Sequence, residues 1–476
     1  MNSQTHQRRA YRRAAATTVV AVLGLAALTA CSSGKSVVGA AAAGDPAAPL
    51  ADSTKVTISI DCEPPTSTPI PRANWLGDVT AFEKLHPNIT VKSISAGAQC
   101  DNPPDFTARL KGGTEADVFY GYMTDTSAVL NTGQAADISP YINDTIIPNW
   151  ESVDTASKST GASAGKTYGI PIGNYSMGLV YNTKLFTQAG LDPTKPPKTW
   201  DDVAADAARI AALGNGTYGY GDYSAGNTGG WHFTTELYAQ GGSMVSADGK
   251  SAAFNDARGI QVVKNLETMA AAHSVGTKQL LGWADLLTLA AGDKVGMYLG
   301  APDTVTAMVQ NFKGSYADWA MAPMPGQTAA GTATLGGGSL YFFKKTDTPD
   351  QIKAGLMFVA YEKLTVGQGL LNFVQQHDPA QNTPVGLPEP LMFNAGTDSA
   401  KALAALGAAN ANLPQGNFAA FAANPVPLKV EPPDAQQIYA VLDSVMASAL
   451  TDPTSDPAAL LATATTKVNA ILAANQ

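Results

Sequence analysis

The chain contains 476 residues, of which 45 % are hydrophobic and only 14 % charged, and its formal net charge is −9. This length allows two or three domains with large buried cores. The first thirty residues contain four arginines and no acid, which leaves 26 basic against 39 acidic residues in the rest of the chain. An acidic body excludes a broad phosphate-binding surface, so nucleic acid is not expected as a partner.

An uncharged apolar stretch follows the arginines and ends in small residues before a cysteine. It covers Ala14 to Ala30, and its 17 residues lie at the lower limit for crossing a bilayer. Leu28-Thr29-Ala30-Cys31 resembles a bacterial lipobox, in which cleavage before the cysteine leaves the thiol to carry a lipid. We therefore predict a lipoprotein signal peptide over residues 1–30, and a lipidated Cys31 with a flexible tether over 31–53. A plain membrane anchor is the alternative, and export by the general or the twin-arginine route stays open.

Two further cysteines support an extracytoplasmic location. With Cys31 lipidated, Cys62 and Cys100 form a pair in an oxidising compartment. Each follows a predicted strand, so both would lie at the same end of neighbouring parallel strands. A bridge of this loop size contributes roughly 3–4 kcal/mol to stability. Two free buried thiols are the alternative.

Strands and helices alternate in the first part of the body. Predicted strands over Lys55–Ile60, Ile89–Ser95 and Ala116–Tyr120 are separated by helices that end at Pro87 and at Gly112-Gly113. This β-α-β-α-β order requires parallel strands with right-handed crossovers. Ligands bind beyond the carboxyl ends of such strands. The residues at these ends are Asp61, Glu63, Tyr120, Gly121 and Tyr122.

The alternation begins again at Gly178. The predicted strands here are Gly178–Asn182, Thr217–Tyr223, Lys294–Leu299, Asp318–Met321 and the Gly-rich Thr334–Phe343. The predicted helices are one opened by a Thr199-x-x-Asp202 capping box, then Trp231–Gln240, Ala257–Ala272, Trp283–Asp293, Pro349–Leu364, Ala435–Ala449 and a last one from Asp456. Two α/β units in one chain predict two lobes that face a cleft.

Catalytic and metal-binding motifs lack the context that their chemistry requires. Gly161-Ala-Ser163-Ala-Gly165 has the spacing of a nucleophile elbow, but no strand precedes it. Gly165-Lys166-Thr167 resembles the end of a phosphate-binding loop, yet Thr160 stands where its first glycine belongs. We interpret both as the turn of a surface hairpin. The histidines have no metal-ligand spacing, so we expect no catalytic residue, no metal and no cofactor.

Several segments, in order, resemble the bacterial extracellular solute-binding proteins of ABC importers, in the maltose-binding-like carbohydrate group (family 1). They are Phe82–Pro87 with Ile89–Val91, Ala116–Phe119, Gly165–Pro171, Gly178–Asn182, Pro197–Asp202, Ala239–Gly242, Gly292–Met297 and Gly336–Gly338. The resemblance implies a periplasmic-binding-protein-like α/β fold, with two lobes of mainly parallel sheets joined by a three-segment hinge around a ligand cleft. It places the N-terminal lobe at 54–171 plus 337–383 and the C-terminal lobe at 172–336 plus 384–476.

The resemblance also implies the binding residues. Sugar rings pack on aromatic side chains, and their hydroxyls bond to carboxylates and amides. The side chains that occupy the corresponding positions are Asp61, Glu63, Tyr120, Tyr122, Asn174, Tyr175 and Trp231, with Trp283 and Asp303 as further candidates. Gly337 and Gly338 would let backbone amides approach the ligand. The alternatives are core aromatics, solvated loop acids and plain hinge glycines.

Two departures from the family pattern narrow the range of ligands that we expect. Where the family commonly has a tryptophan after Gly300, this chain has Ala301, Pro302 and Asp303. Ile438 and Tyr439 stand where maltose-binding relatives place a stacking aromatic. A mono- or disaccharide is therefore expected rather than a long glucan.

The sequence thus predicts a monomeric, lipid-anchored receptor that closes on a sugar and delivers it to the membrane subunits of an ABC permease. It predicts no enzyme activity. The alternatives are a receptor for a glycerophosphodiester, an amino sugar or another polar metabolite, and a lipid-anchored hydrolase.

Overall fold

The computed structural model describes residues 45–94, 103–372, 384–388, 392–423, 427–452 and 454–474. The predictions for the signal peptide, Cys31, most of the tether and Cys100 lie outside these ranges. Cys62 is disulfide-bonded, and its pairing with Cys100 stays a prediction.

The strands of the body build two main sheets and one small hairpin. They are β1 (Val56–Ile60), β2 (Ile89–Ser93), β3 (Val118–Tyr122), β4 (Ala162–Ser163), β5 (Lys166–Thr167), β6 (Gly169–Ser176), β7 (Gly178–Asn182), β8 (Tyr218–Gly221), β9 (Ser274–Val275), β10 (Val295–Gly300), β11 (Trp319–Ala322), β12 (Thr334–Phe343) and β13 (Leu428–Val430). The pair β4–β5 is the predicted surface hairpin, which is confirmed.

Helices of varied length cover these sheets. They are α1 (Pro69–Leu85), α2 (Pro103–Gly112), α3 (Thr126–Thr132), α4 (Thr155–Thr160), α5 (Thr183–Gln188), α6 (Trp200–Ala211), α7 (Thr228–Ala239), α8 (Ala257–Ala271), α9 (Trp283–Ala291), α10 (Asp303–Phe312), α11 (Pro349–Val359), α12 (Asp398–Asn410), α13 (Ala419–Ala422), α14 (Ala435–Thr451) and α15 (Pro457–Ala474). A π-helical turn, Ala360–Leu364, extends α11. The predicted capping box of α6 is confirmed, because the Thr199 hydroxyl accepts from the Asp202 N–H and the Asp202 carboxylate accepts from the Thr199 N–H, each at 3.1 Å.

The first sheet has six strands, in the order β13-β12-β3-β1-β2, and β6 pairs with β12. The parallel pairing of β1 with β2 and β3, predicted from the β-α-β-α-β order, is confirmed. By contrast, β12 runs antiparallel to both β3 and β6. The chain forms β12 on its return to this sheet, after it has built the second sheet.

The second sheet has the order β11-β7-β10-β8-β9. Strand β8 pairs in parallel with β9 and β10, whereas β7 is antiparallel to β10 and β11. The chain passes between the sheets directly after Ser176, where β6 ends, and again before Thr334, where β12 begins. These two sheets with their helices are the two lobes of the fold.

Separate hydrophobic cores support the lobes. The first includes Ile58, Phe82 and Phe358, and the second includes Phe233, Leu237 and Leu442. Met392, Phe393 and Ala400 pack in the first core, although the predicted boundaries assign 384–476 to the C-terminal lobe. This part of the chain therefore packs with the first lobe, although it was assigned to the C-terminal lobe. The lobe boundaries stay predictions.

The last helix, α15, is the one described helix that is long and apolar enough to cross a membrane by length and composition. Its buried side chains Leu461, Val468 and Leu472 belong to the second core. Buried residues make up 22 % of this helix.

Candidate functional site

The register of β12 brings six predicted site residues together. On one side, Tyr341 lies opposite Tyr120 and Ser339 opposite Tyr122. On the other side, Gly337 lies opposite Tyr175 and Gly338 opposite Asn174. Residues from two distant parts of the sequence therefore converge on one strand at the passage between the lobes.

A small cavity lies at this place. Its volume is about 190 Å³. Its lining consists of Gly173, Asn174, Tyr175, Pro302, Asp303, Gly338 and Ser339. Asp303 begins α10 of the second lobe, whereas Asn174 and Tyr175 belong to β6 of the first sheet. The cavity therefore combines an aromatic ring, an amide and a carboxylate contributed by both lobes.

The Asp303 carboxylate is the acidic group of this cavity. Its side chain is exposed to the cleft solvent, yet the surrounding protein raises its pKa by desolvation. The Asn174 amide donates to the Ser157 hydroxyl at 2.9 Å, which fixes its orientation. A carboxylate and an oriented amide can together bond several ligand hydroxyls.

Tyr175 belongs to a buried hydrogen-bond network that the sequence did not reveal. Its hydroxyl donates to the Glu431 carboxylate and accepts from the Trp231 indole N–H at 3.1 Å. The Tyr439 hydroxyl donates to the other Glu431 oxygen at 3.0 Å. Burial raises the pKa of Glu431, and the two hydroxyl donors oppose this rise. The network holds the Tyr175 ring rigidly at the cavity wall.

No sequence motif marks Glu431. It follows β13, whose short exposed strand was not predicted, and precedes Pro432-Pro433. The available signal was a single acid between an apolar strand and two prolines. Such a signal is common in loops and does not identify a functional group.

Gly337 and Gly338 serve the packing of β6 on β12. A Cβ atom on Gly337 would lie 2.6 Å from the Tyr175 hydroxyl and 2.8 Å from Glu431 Oε1. A Cβ atom on Gly338 would lie 2.2 Å from the Gly173 carbonyl oxygen. These glycines therefore make room for the network and for the backbone of β6. Gly338 also lines the small cavity, whereas Gly337 does not.

Tyr120 and Tyr122 stand side by side at the end of β3. Their ring centroids are 5.6 Å apart in an edge-to-face arrangement. Tyr120 shares a hydrogen bond with the Ser339 hydroxyl and lines a second, larger cavity. Burial raises the pKa of Tyr122 to about 12, so it remains a neutral donor. The structure therefore places Tyr120 at a cavity and Tyr122 behind it.

Asp61 and Glu63 are engaged within the first lobe. Asp61 is 0 % exposed, and its carboxylate lies 3.3 Å from the Arg109 guanidinium. Burial raises the pKa of Asp61, and Arg109 opposes this rise. The Glu63 carboxylate pairs with Arg72. Both acids end β1 as predicted, but ion pairs hold them inside the lobe and neither lines the small or the larger cavity.

The two tryptophans among the predicted residues differ in their surroundings. Trp231 lies in the first turn of α7, which the Asp443 carboxylate caps by accepting from the N–H groups of Asn227 at 2.6 Å and Gly230 at 2.9 Å. Trp283 begins α9 and packs edge-to-face on Phe312 at 6.5 Å. Trp231 therefore supports Tyr175, whereas Trp283 is half-buried and packs against the core of the second lobe.

His232 lies directly beneath Trp231 and is buried without hydrogen-bond partners among the residues described. Its Nδ1 is 3.9 Å from the Asp222 carboxylate, and its ring contacts Tyr223 edge-to-face at 4.4 Å. Burial lowers the pKa of His232 to about 3 and raises that of Asp222 to about 7. The folded chain therefore holds a neutral imidazole.

Substitution of His232 by phenylalanine is expected to make the protein more resistant to acid. The unfolded chain protonates this histidine below about pH 6.5, whereas the folded chain does not, so stability present above that pH is lost as the pH falls. His232→Phe removes this loss without breaking a hydrogen bond. Relative to the wild type, it should reduce the drop in unfolding free energy between pH 7 and pH 5 by roughly 1–2 kcal/mol in urea titrations.

Asp222→Asn serves as the opposite control. The raised pKa of Asp222 means that the folded chain holds a proton between about pH 4 and 7, and this proton stabilises the fold as the pH falls. Without this titrating carboxyl, the free energy of unfolding should therefore fall more steeply as the pH decreases. Identical pH profiles for the wild type and His232→Phe would contradict the assignment of a neutral buried imidazole.

Within the described ranges, no group of three or more His, Cys, Asp and Glu side chains is arranged to hold a metal ion. The site offers hydroxyls, amides, carboxylates and aromatic rings. This chemistry suits the binding of a polar organic solute.

Comparisons with known proteins agree with this geometry. The family model described as bacterial extracellular solute-binding protein matches residues 66–361. Among solved structures, a solute-binding protein of an ABC transporter from Thermotoga lettingae, bound with alpha-D-tagatose, is 19 % identical with a TM-score of 0.66, and covers 88 % of this chain and 100 % of its own. UgpB from Mycobacterium tuberculosis, in complex with glycerophosphocholine, is 15 % identical with a TM-score of 0.66, and covers 88 % and 99 %.

A curated relative matches a shorter region. The sn-glycerol-3-phosphate-binding periplasmic protein UgpB of Yersinia pestis is 26 % identical over 153 residues, which are 32 % of this chain and 33 % of the relative. The chain thus spans about a third of the length of this relative. The family match, in contrast, covers more than half of the chain. The chain belongs to the bacterial extracellular solute-binding protein family.

Proposed function

We propose that this protein is the solute-binding component of an ABC importer and that it captures a carbohydrate, with a mono- or disaccharide as the expected ligand. The observation that carries the proposal is the small cavity, where Tyr175, Asn174 and Asp303 converge from both lobes. An aromatic ring beside an amide and a carboxylate matches the apolar faces and hydroxyl edges of a sugar. The lack of a tryptophan after Gly300, where this chain has Ala301, Pro302 and Asp303, supports a mono- or disaccharide rather than a long glucan.

Closure of the lobes would complete the site and present the loaded protein to the permease. Asp303 stands on the second lobe and Asn174 on the first sheet, so a bound solute would favour the closed arrangement by bonding to both. Buried hydrogen-bonding groups would be left unpaired by a wrong solute, at a cost of about 1–3 kcal/mol each. This cost supports selectivity without catalysis.

We further propose that the protein works outside the cytoplasm, tethered by a lipid on Cys31 and stabilised by a Cys62–Cys100 bridge. The lipobox-like segment, the small-residue tether and the disulfide-bonded state of Cys62 support this arrangement. A family of extracellular solute-binding proteins is consistent with it.

A glycerophosphodiester is the second candidate ligand, because one related protein is in complex with glycerophosphocholine and another is named for sn-glycerol 3-phosphate, the monoester of the same glycerol phosphate. A phosphate group would meet the Asp303 carboxylate in the small cavity, and Lys363 is the cationic side chain that lines the larger one. Because the carboxylate of the small cavity would repel a phosphate, the charges of the site favour a neutral sugar over a glycerophosphodiester.

Thermal-shift titration against sugars, polyols and glycerophosphodiesters tests the proposal. We expect saturable stabilisation by a mono- or disaccharide, of about 2.7 kcal/mol at a ligand concentration of 100 Kd, with no product in the incubated mixture. Stabilisation by glycerophosphodiesters alone would establish the second candidate. Product formation that an Asp303→Asn substitution abolishes would instead establish a hydrolase.

A further inference from the structure

A larger cavity of about 850 Å³ adjoins the small one and shares Gly173, Asn174 and Asp303 with it. Apolar side chains form much of its wall, namely Pro64, Pro71, Trp75, Leu371, Val385 and Leu403. Among its polar side chains are Asn74 of α1 and the neighbours Glu362 and Lys363, which follow α11, all in the first lobe. These three side chains, which form one polar end of the cavity, are remote from Asp303 in sequence and lie on the other lobe.

Glu362 is the least satisfied group of this polar end. It lies in the π-helical turn after α11 and is 0 % exposed. Neither of its carboxylate oxygens has a hydrogen-bond partner in the part of the chain that the structure describes. The Lys363 ammonium is 3.6 Å from Oε1, which is an ion-pair distance but too long for a strong hydrogen bond. Burial raises the pKa of Glu362 to about 7.

The positive charge of Lys363 acts on two carboxylates, those of Glu362 and Asp78. Asp78 of α1 is 4 % exposed, and the positive charge of Lys363 opposes the burial that raises its pKa to about 6. The Lys363 ammonium also lies 5.9 Å from the centroid of the Trp75 ring. One cation therefore faces two buried acids, and the cluster lacks one positive charge when both acids are ionised.

Asn74 adds a third buried acceptor to this end of the cavity. The side-chain oxygen of Asn74 is buried and has no hydrogen-bond partner within the described ranges. The nearby Tyr341 hydroxyl donates to the Asp61 carbonyl oxygen at 3.3 Å, so it is already used. An unpartnered buried acceptor costs about 1–3 kcal/mol, and an ionised one costs more.

We propose that this end of the cavity, formed by Asn74, Glu362 and Lys363, binds a protonated amino group carried by the solute. An ammonium brings both the missing positive charge and several N–H donors for the free acceptors. A neutral hydroxyl would supply a donor but leave the charge unbalanced. This inference rests on the proposed function and makes an aminated sugar the substrate class.

Isothermal titration calorimetry at pH 7.5 with matched pairs of sugars tests this inference. The pairs are glucosamine with glucose, galactosamine with galactose, and mannosamine with mannose. We expect at least one aminated sugar to bind tenfold or more tightly than its neutral partner. In Glu362→Gln that preference should disappear, while affinity for the neutral sugar stays within twofold. Glu151→Gln, at an exposed acid far along the chain, is the matched control and should leave the preference intact.

Asn74→Ala provides a second variant that does not disturb the buried ion pair. Alanine favours the helix in which Asn74 lies, and loss of the amide oxygen should weaken binding of the aminated sugar by threefold or more. Equal binding of both members of every pair to the wild type would overturn the inference while leaving the proposed sugar receptor intact. Equal losses for both members in Glu362→Gln would overturn it as well.

Absence of binding by any sugar would refute the proposed function. In that case, thermal-shift titration with ethanolamine and putrescine tests the amine site by itself. Saturable thermal stabilisation by either amine that Glu362→Gln abolishes would support the amine site. No stabilisation by either would overturn it.

Discussion

Replacing Trp231 by alanine is expected to weaken solute binding by well over tenfold. The Trp231 indole N–H donates to the Tyr175 hydroxyl, and that hydroxyl in turn donates to Glu431. Loss of the indole removes one fixed point of the Tyr175 ring and opens space beside it. Because Tyr175 lines the small cavity, its reorientation would disturb the surface on which a sugar packs. Calorimetric titration with the solute identified by the thermal-shift screen measures the effect.

Trp283→Ala is the matched control for this substitution. Trp283 is also half-buried and begins a helix, but it packs on Phe312 within the second lobe. Its removal should lower stability and leave affinity within twofold of the wild type. Near-wild-type binding by Trp231→Ala would remove Trp231 from the site, and equal losses in both variants would point to a general effect on folding.

Adding a single methyl group at Gly338 is expected to disrupt the passage between the lobes. The new Cβ would lie 2.2 Å from the carbonyl oxygen of Gly173, a backbone atom that cannot rotate away. Strands β6 and β12 would have to separate where both line the small cavity. Overpacking of this kind costs typically 1–3 kcal/mol, and we expect Gly338→Ala to reach at least about 3 kcal/mol. Urea denaturation measures this loss, and solute binding should fall with it.

Gly173→Ala tests whether the effect depends on position. Gly173 lies across the same pair of strands and lines the same cavity, but a Cβ there would meet no atom within 4 Å. The free energy of unfolding of this variant should lie within about 0.5 kcal/mol of the wild-type value, as it does for most substitutions that meet no other atoms. Wild-type stability in Gly338→Ala would show that the two strands are less closely packed than the structure indicates.

The regular elements were largely predictable because their signals are local. β-Branched alternation marked β1, and the bounds predicted for β7 and for the Gly-rich β12 are confirmed residue for residue. The capping box of α6 is likewise a contact within one turn. Strand β6 escaped prediction because its sequence, Gly169–Ser176, contains glycines and a proline and is stabilised by pairing with the distant β12. Helix α10 was not predicted, although Val305, Met308, Val309 and Phe312 recur at helical spacing after Pro302.

The residues of the candidate site were also predictable only in part. Tyr120, Asn174 and Tyr175, which the family resemblance implied, line the cavities, and so does Asp303, which stands where the chain departs from the family. Their contacts with a ligand stay predictions. Asp61 and Glu63 occupy the predicted strand end, yet their side chains turn to arginines of the first lobe. The direction of a side chain depends on partners such as Arg109, which is 48 residues away from Asp61. No local pattern contains that information.

The sequence by itself determined the family, the alternation of strands and helices, and the polar and aromatic chemistry expected of a sugar receptor, because each depends on short-range patterns. Only the tertiary structure decided which side chains meet. Glu431 and Tyr175 are 256 residues apart in sequence, and they pair because β12 lies between the strands that carry them. The buried cluster of Asp78, Glu362 and Lys363 likewise arises from the packing of α1 beside the end of α11. Pairing across sheets and burial of charge are long-range effects, and they set the pKa values and free acceptors from which an amine-binding end of the cavity is inferred.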